Sequence, residues 1–418
     1  MTTPTESPGI EPSLAPTVPL PEAGSRAPLA ERALAQRVHA VPPSGIRRFF
    51  DILASLDDVI SLGVGEPDFD TPPQIVEAGV RSLRAGRTHY TSNYGTLELR
   101  QALARQLERR YGVSYDPGRE LLITVGASEA VDLALRATCD PGDEIVLHEP
   151  SYVAYPAAVL FAGGVVRHVS TKLADDFALD PAAVEAAITP RTKALFLGYP
   201  CNPTGAVLPV EVQDELARIA VRHDLLVYSD EIYDRLAYGS YEHRAMSALP
   251  GMRERTILMG GFSKAYAMTG WRVGYLAAPA PILEGIVKVH QYGIMSASTT
   301  AQDAALVALT SAEADVERML EEYDRRRRLL VGGLNDLGLT TFEPRGAFYA
   351  FPEITSTGLD SDTFARRLLE EERVAVVPGN AFGPSGEGHV RACYATSHEQ
   401  LVEALERIGR FVERCGRA

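Results

Sequence analysis

The sequence predicts an α/β protein, a seven-stranded, mostly parallel sheet sandwiched by helices, with a smaller α+β domain attached. Three observations predict it. From about residue 75 to 300, short β-rich apolar runs alternate with segments of helical period, the pattern of parallel strands linked by crossover helices. Several of those runs end in polar residues, at the strand ends where such sheets bind ligands. The last hundred or so residues change character, to a long charged helix and then mixed strand and helix pieces.

Residues 1–29 hold seven prolines among Thr, Ser, Glu and Gly. That composition buries too little apolar surface to offset the entropy of ordering, so a disordered tail is expected. One short helix follows near Leu29–Ala40, and residues 30–74 are expected to pack with the smaller domain. The strands predicted for the larger domain, residues 75–305, are Leu121–Val125, Glu144–Leu147, Val165–Val169, Ala194–Gly198, Leu225–Ser229, Thr256–Met259 and Val273–Ala277. The smaller domain, residues 306–418, opens on a helix over Ala312–Leu334 and closes on an amphipathic helix over Glu399–Arg414. The second of these helices starts with Ser397-His398-Glu399-Gln400, a capping box. In the first, Arg325-Arg326-Arg327-Arg328 follows Glu321, Glu322 and Asp324 at i,i+4 spacing, the pattern of a solvated helix face.

Composition limits the function. With 418 residues, 45% apolar and 23% charged, the chain has the make-up of a multidomain globular protein. Lys plus Arg number 41 against 55 Asp plus Glu, a net charge of −14, which argues against nucleic acid as a partner. Cys139, Cys201, Cys393 and Cys415 are scattered without a C-x-x-C pair, so neither a disulfide framework nor a metal site is expected. No apolar run reaches the 18 or so residues of a membrane span, and the N-terminus lacks a signal-peptide pattern. A cytoplasmic protein is expected.

The chemistry-bearing residues sit at strand ends. Lys264 follows a strand, in Gly260-Gly261-Phe262-Ser263-Lys264-Ala265-Tyr266-Ala267-Met268-Thr269-Gly270-Trp271-Arg272. A lysine among small and aromatic residues is either an ordinary surface group or a desolvated nucleophile able to form an imine. Asp230-Glu231-Ile232-Tyr233 closes another strand, so Asp230 is either a helix N-cap or a carboxylate facing a ring nitrogen, with Tyr233 in reach of the same ring. Tyr199-Pro200-Cys201-Asn202-Pro203-Thr204-Gly205 is a turn whose amide could also donate to a phenolate-like oxygen. Gly126-Ala127-Ser128-Glu129 opens a helix directly after a strand, a place for a phosphate. In Val390-Arg391-Ala392-Cys393-Tyr394, one arginine interrupts an apolar strand. It either meets a buried acid or clamps a ligand carboxylate. Gly63-Val64-Gly65 lacks the third glycine of a dinucleotide fingerprint.

From about Ile60 to Arg414 these motifs together resemble the pyridoxal-phosphate-dependent aminotransferases of class I/II, fold type I, and most closely their aspartate and aromatic branch. The resemblance implies pyridoxal 5′-phosphate as cofactor and transfer of an amino group from an L-amino acid to a 2-oxo acid by a ping-pong mechanism. It implies that Lys264 bonds the cofactor and then moves the substrate α-proton, and that Asp230 keeps the pyridine nitrogen protonated. Tyr233 and Asn202 would bond the 3′-oxygen, and Tyr152 would stack on the ring. Ala127, Ser128 and Arg272 would hold the phosphate. Tyr90 would reach the phosphate of a neighbouring subunit, so a homodimer with shared active sites follows. Arg391, with Gly65 and Asn202, would grip the substrate α-carboxylate. Where many relatives carry a phosphate-binding serine, three residues before the lysine, this chain has Gly261, and Ser263 is the candidate substitute. Near the expected side-chain pocket, His290-Gln291-Tyr292 and Met295-Ser296-Ala297-Ser298 are polar or aromatic, which leaves aspartate, aromatic and broad specificity open. The alternative on the same scaffold is a C–S β-lyase or related lyase. A regulator built on this domain would need a DNA-binding helix-turn-helix ahead of it, and the expected tail and short helix do not supply one.

Overall fold

The computed structural model describes residues 29–42 and 58–415. The expected tail over 1–29 lies outside them but for Leu29. Residues 29–40 form a unit by themselves, in which two short helices, Leu29–Ala33 and Gln36–His39, replace the single predicted one.

The remaining unit contains the predicted sheet. Its strands, after a short β1 (Ile60–Ser61), are β2 (Leu121–Thr124), β3 (Glu144–Glu149), β4 (Val165–Ser170), β5 (Thr192–Gly198), β6 (Leu226–Asp230), β7 (Thr256–Gly261) and β8 (Gly274–Ala277). They lie in the order β2-β8-β7-β6-β5-β3-β4, parallel throughout except for β8, which runs antiparallel to both neighbours. Every residue of β2 and β3 is buried, as expected of strands covered on both faces, which read as continuous apolar runs. In β5 the two faces separate cleanly. Ala194 and Phe196 join one core with Leu147, Tyr228 and Ile257, while Leu195 and Leu197 join another with Val227 and Leu216.

Beyond the sheet come β9 (Tyr349–Ala350), β10 (Val374–Ala375), β11 (Val377–Pro378) and β12 (Val390–Cys393). β12 is the middle of a three-stranded antiparallel sheet between β11 and β9, and β10 pairs in parallel with β1. The closing helix spans His398–Cys415 and buries Leu401, Ala404, Ile408 and Phe411, a stripe at alternating spacings of three and four. Ser397 Oγ accepts from Gln400 N at 3.2 Å, one half of the predicted capping box.

The arginine run departs from expectation. Arg325 and Arg328 are exposed, but the side chains of Arg326 and Arg327 retain only 7% and 5% of their surface. They fall on the inward face of the helix Glu313–Asp336 with Tyr323, Leu330 and Leu334. Arg326 donates twice to Asp68, at 2.8 and 2.9 Å, and once to Glu322; Arg327 bonds Asp324 and Glu343. Breaking a withdrawn ion pair costs more than breaking a surface one. Arg326→Ala is therefore expected to lower stability by about 2 kcal/mol or more, and Arg325→Ala by less than about 0.5, read as urea unfolding midpoints.

Candidate active site

The carboxyl ends of β2, β5, β6 and β7 and the amino end of β8 share one edge of the sheet, and each delivers part of one site. After β2, Gly126 turns the chain at φ +75° into the helix Gly126–Thr138. The N–H groups of its first turn have no partner within the helix. A Cβ on Gly126 would lie 2.7 Å from Arg272 Nη2, and one on Gly274 would lie 2.6 Å from Ala127 N. Both bare glycines are needed for Arg272 and the helix start to come together. Ala127, Ser128 and Arg272 thus form a positively polarised cup. Arg272 is exposed and donates to Thr269 O at 2.9 Å.

Asp230 is the last residue of β6, within the strand rather than after it. No helix follows, so the N-cap reading fails; Oδ1 instead accepts from Ile232 N at 3.2 Å in a tight turn. Its Oδ2 accepts from Tyr155 at 2.9 Å. Burial pushes the Asp230 pKa up to about 6, with the two hydrogen bonds pulling against it. The neighbouring Glu231 is directed elsewhere, accepting from Ser229 Oγ and Met246 N and pairing with His243 at 2.8 Å.

Lys264 stands in the loop after β7, flanked by Ala267 and Arg272, both held at left-handed φ of +50° and +52°. Such strain in non-glycine residues collects where a loop must present a side chain. Lys264 Nζ donates to Gly65 O at 2.7 Å, and burial brings its pKa down to about 8. An amine lowered that far is in part a free nucleophile at neutral pH.

Arg391, on β12, is 4% exposed. Its Nη1 donates to Asn202 Oδ1 at 2.9 Å and its Nη2 to Gly63 O at 2.6 Å, while the rings of Tyr349 and Phe382 lie 4.6 and 4.9 Å from the guanidinium. Its Nε is buried without a partner. Among the described residues no carboxylate pairs with it, which removes the structural half of the alternative posed by the sequence. Tyr152 lies amid these groups: burial raises its pKa, Asp230 adds to the rise, and Arg391 and Arg272 oppose it.

Two neighbours escaped the sequence reading. Tyr155 holds Asp230, and Tyr349 meets Tyr233 hydroxyl to hydroxyl at 2.7 Å. Gly261 faces Ile232 Cδ1 and Gly274 Cα, which a Cβ would approach to 3.0 and 3.3 Å, so the sheet leaves little room for the serine of many relatives. Ser263 is buried. His290 is fully buried and paired with Glu129 at 2.8 Å, so it does not line a substrate pocket as the sequence suggested. Tyr90 is 81% exposed.

Residues 57–408 match the family model Aminotransferase class I and II. A Bacillus subtilis chain named as an aminotransferase is 50% identical over 91% of this chain and 98% of its own length. An aspartate aminotransferase of Pyrococcus abyssi is 46% identical, covering 90% of this chain and 97% of its own. The crystal structure of an aromatic aminotransferase from Pyrococcus horikoshii superposes with a TM-score of 0.84 at 46% identity, over 88% of this chain and 99% of that one.

The raised pKa of Asp230 carries a signed consequence. A carboxyl that titrates near 6 when folded and near 3.8 otherwise opposes folding above pH 6 and not below about 4. Asp230→Asn is expected to stabilise the cofactor-free protein at pH 8 by up to about 3 kcal/mol, the gain shrinking towards pH 4. Urea unfolding at the two pH values checks it; an equal effect at both would contradict burial as the cause.

Proposed function

The chain belongs to the class I and II aminotransferases, and from that premise we propose how its site residues divide the work. The protein is a pyridoxal-phosphate-dependent aminotransferase, acting on an L-amino acid and a 2-oxo acid, and the lyase alternative is not favoured. Pyridoxal 5′-phosphate fits the residues present. The cup at Gly126 suits a phosphate, and Asp230, Tyr152 and Lys264 offer a ring its acid, its cover and its amine. When bound, the cofactor supplies an electron-withdrawing ring that takes up the electron pair left as the substrate α-proton departs.

On this reading the N–H groups of Ala127 and Ser128 and the Arg272 guanidinium hold the phosphate. Asp230 faces the ring nitrogen, and a cation there draws the carboxyl back towards its ionised form. Tyr233 and Asn202 bond the 3′-oxygen. Lys264 would hold the cofactor through Nζ; once freed by the substrate, the same nitrogen would take the proton from the substrate α-carbon and deliver it to C4′ of the cofactor, a base first and then an acid. Gly65 O is its resting partner. Arg391 takes the α-carboxylate bidentately, aided by Asn202 and the backbone at Gly65. The observation that carries this assignment is the Arg391 guanidinium, buried and, among the described residues, without an acid of its own.

The reading extends to the assembly. A homodimer would use the exposed Tyr90 to complete the partner's phosphate site; Tyr292, at 87%, Ile294 and Met295 are exposed as well. Residues 75–305 then form the cofactor domain and 306–418 the smaller one. The pairing of β1 with β10 supports the assignment of the segment before residue 75 to the latter. No helix among the described residues is long and apolar enough to cross a membrane, in keeping with a cytoplasmic enzyme without nucleic-acid partners. Relatives named for aspartate and for aromatic substrates are equally similar, so the proposed donors include both classes, to be ranked by kcat/KM.

Given one L-amino acid and no oxo acid, the holoenzyme is expected to release a single turnover of 2-oxo acid and stop. Sustained ammonia release would instead mark a lyase. Lys264→Ala should lower the half-reaction rate by about 10²–10⁴-fold or more, and borohydride should no longer fix the cofactor to that peptide. Mixing Lys264→Ala chains with Tyr90→Ala chains should restore activity, because one of the two shared sites is then intact; no restoration would refute shared sites.

A further inference from the structure

Tyr349 joins three groups that the proposed function treats separately. It stands on β9 opposite Cys393, two residues beyond Arg391 on β12. Its ring lies under the Arg391 guanidinium at 4.6 Å. Its hydroxyl is 2.7 Å from that of Tyr233. A Cβ on Gly65 would lie 2.5 Å from that same oxygen, so the residue whose carbonyl receives Lys264 Nζ must be glycine for the hydroxyl to enter. Tyr349 and Tyr233 are 0% and 5% exposed, so bulk water does not compete for either proton.

Each phenol has one proton to give. If Tyr233 donates to Tyr349, it has none left for the cofactor. If Tyr349 donates to Tyr233, the Tyr233 proton is free for the 3′-oxygen, and accepting a bond makes Tyr233 a stronger donor. The surroundings favour the second arrangement. Burial raises the pKa of the Tyr349 hydroxyl, but the Arg391 cation over its ring opposes that rise and so strengthens it as a donor. At Tyr233, burial and the contact with Tyr349 raise the pKa ahead of the opposing effect of Arg391, which at Tyr349 ranks directly after burial.

We propose that Tyr349 is a positioning residue of the amino-transfer reaction: its hydroxyl donates to Tyr233 and thereby directs the Tyr233 proton to the cofactor's 3′-oxygen. This rests on the reading in which Tyr233 bonds that oxygen. Tyr349 touches neither substrate nor cofactor in this role and acts through Tyr233 alone.

The test is the pH titration of the visible absorbance of the holoenzyme, for the native chain, Tyr349→Phe, Tyr233→Phe and the double variant. Phenylalanine keeps the ring under Arg391, so thermal stability should change little. A weaker donor leaves the ring oxygen more basic, and the chromophore holds its proton to higher pH. Tyr349→Phe is expected to raise the midpoint by about half a pH unit and Tyr233→Phe by about one. The double variant should match Tyr233→Phe, since the effect passes through that residue. No shift or a downward shift in Tyr349→Phe, or additive shifts in the double variant, would overturn the proposal. No shift in Tyr233→Phe would overturn the underlying assignment of Tyr233, and the role of Tyr349 with it.

Discussion

Withdrawing a guanidinium from water costs several kcal/mol unless a carboxylate accompanies it, and in this fold Arg391 is withdrawn alone. Among the described residues the compensation is neutral, an amide oxygen from Asn202, a carbonyl from Gly63 and the faces of Tyr349 and Phe382. These satisfy some of the donors and leave the charge uncancelled. Under the proposed function, the substrate's carboxylate would cancel it. In the fold, β12 carries that charge, β9 brings Tyr349 beneath it, and the turn after β5 of the large sheet brings Asn202 beside it. Lys264 and Asp230 bear the same kind of cost, an amine brought down to about 8 and a carboxyl pushed up to about 6 by burial. Under the proposed function their stabilising partners would arrive with the ligands, which would bring perturbed ionisation and function together.

Much of this was legible in the sequence because parallel strands buried on both faces announce themselves as apolar runs. All seven sheet strands were located as short apolar, β-rich runs with ends displaced by one or two residues, although β4, at the sheet's edge, is largely exposed and β8 is antiparallel. Polar residues at their carboxyl ends then drew attention to Lys264, Asp230 and Asn202. Arg391 was visible for the opposite reason, as a charge in a run that should have none. The family resemblance assigned roles that spacing alone left open, and the structure sets Lys264 beside Gly65 and Tyr233, Arg391 beside Asn202, and Arg272 beside Gly126, while Tyr90 is exposed.

What escaped has physical causes. Tyr155 and Tyr349 sit in apolar stretches where an aromatic ring looks like core packing, and only the three-dimensional partners of their hydroxyls reveal more. His290 seemed a pocket residue because its acid, Glu129, is 161 positions away in the chain. The burial of Arg326 depends on Asp68, 258 positions away. Yet a signal for that burial existed: the stripe Tyr323, Leu330 and Leu334 runs through Arg326 and Arg327 at helical spacing. Counting i,i+4 acids obscured it.

The net charge of −14 is likewise a sum that conceals its exceptions, since under the proposed function Arg272 and Arg391 would each take an anion within a negative chain. The account stands or falls on Arg391 and is best tested by comparing each amino acid with the amine that lacks its carboxylate. The native enzyme should prefer the amino acid, and Arg391→Ala should lose roughly 10²–10³-fold in kcat/KM for the amino acid, with little change for the amine. Equal losses on both would show that Arg391 only supports the fold and would contradict its role as the substrate's counter-charge.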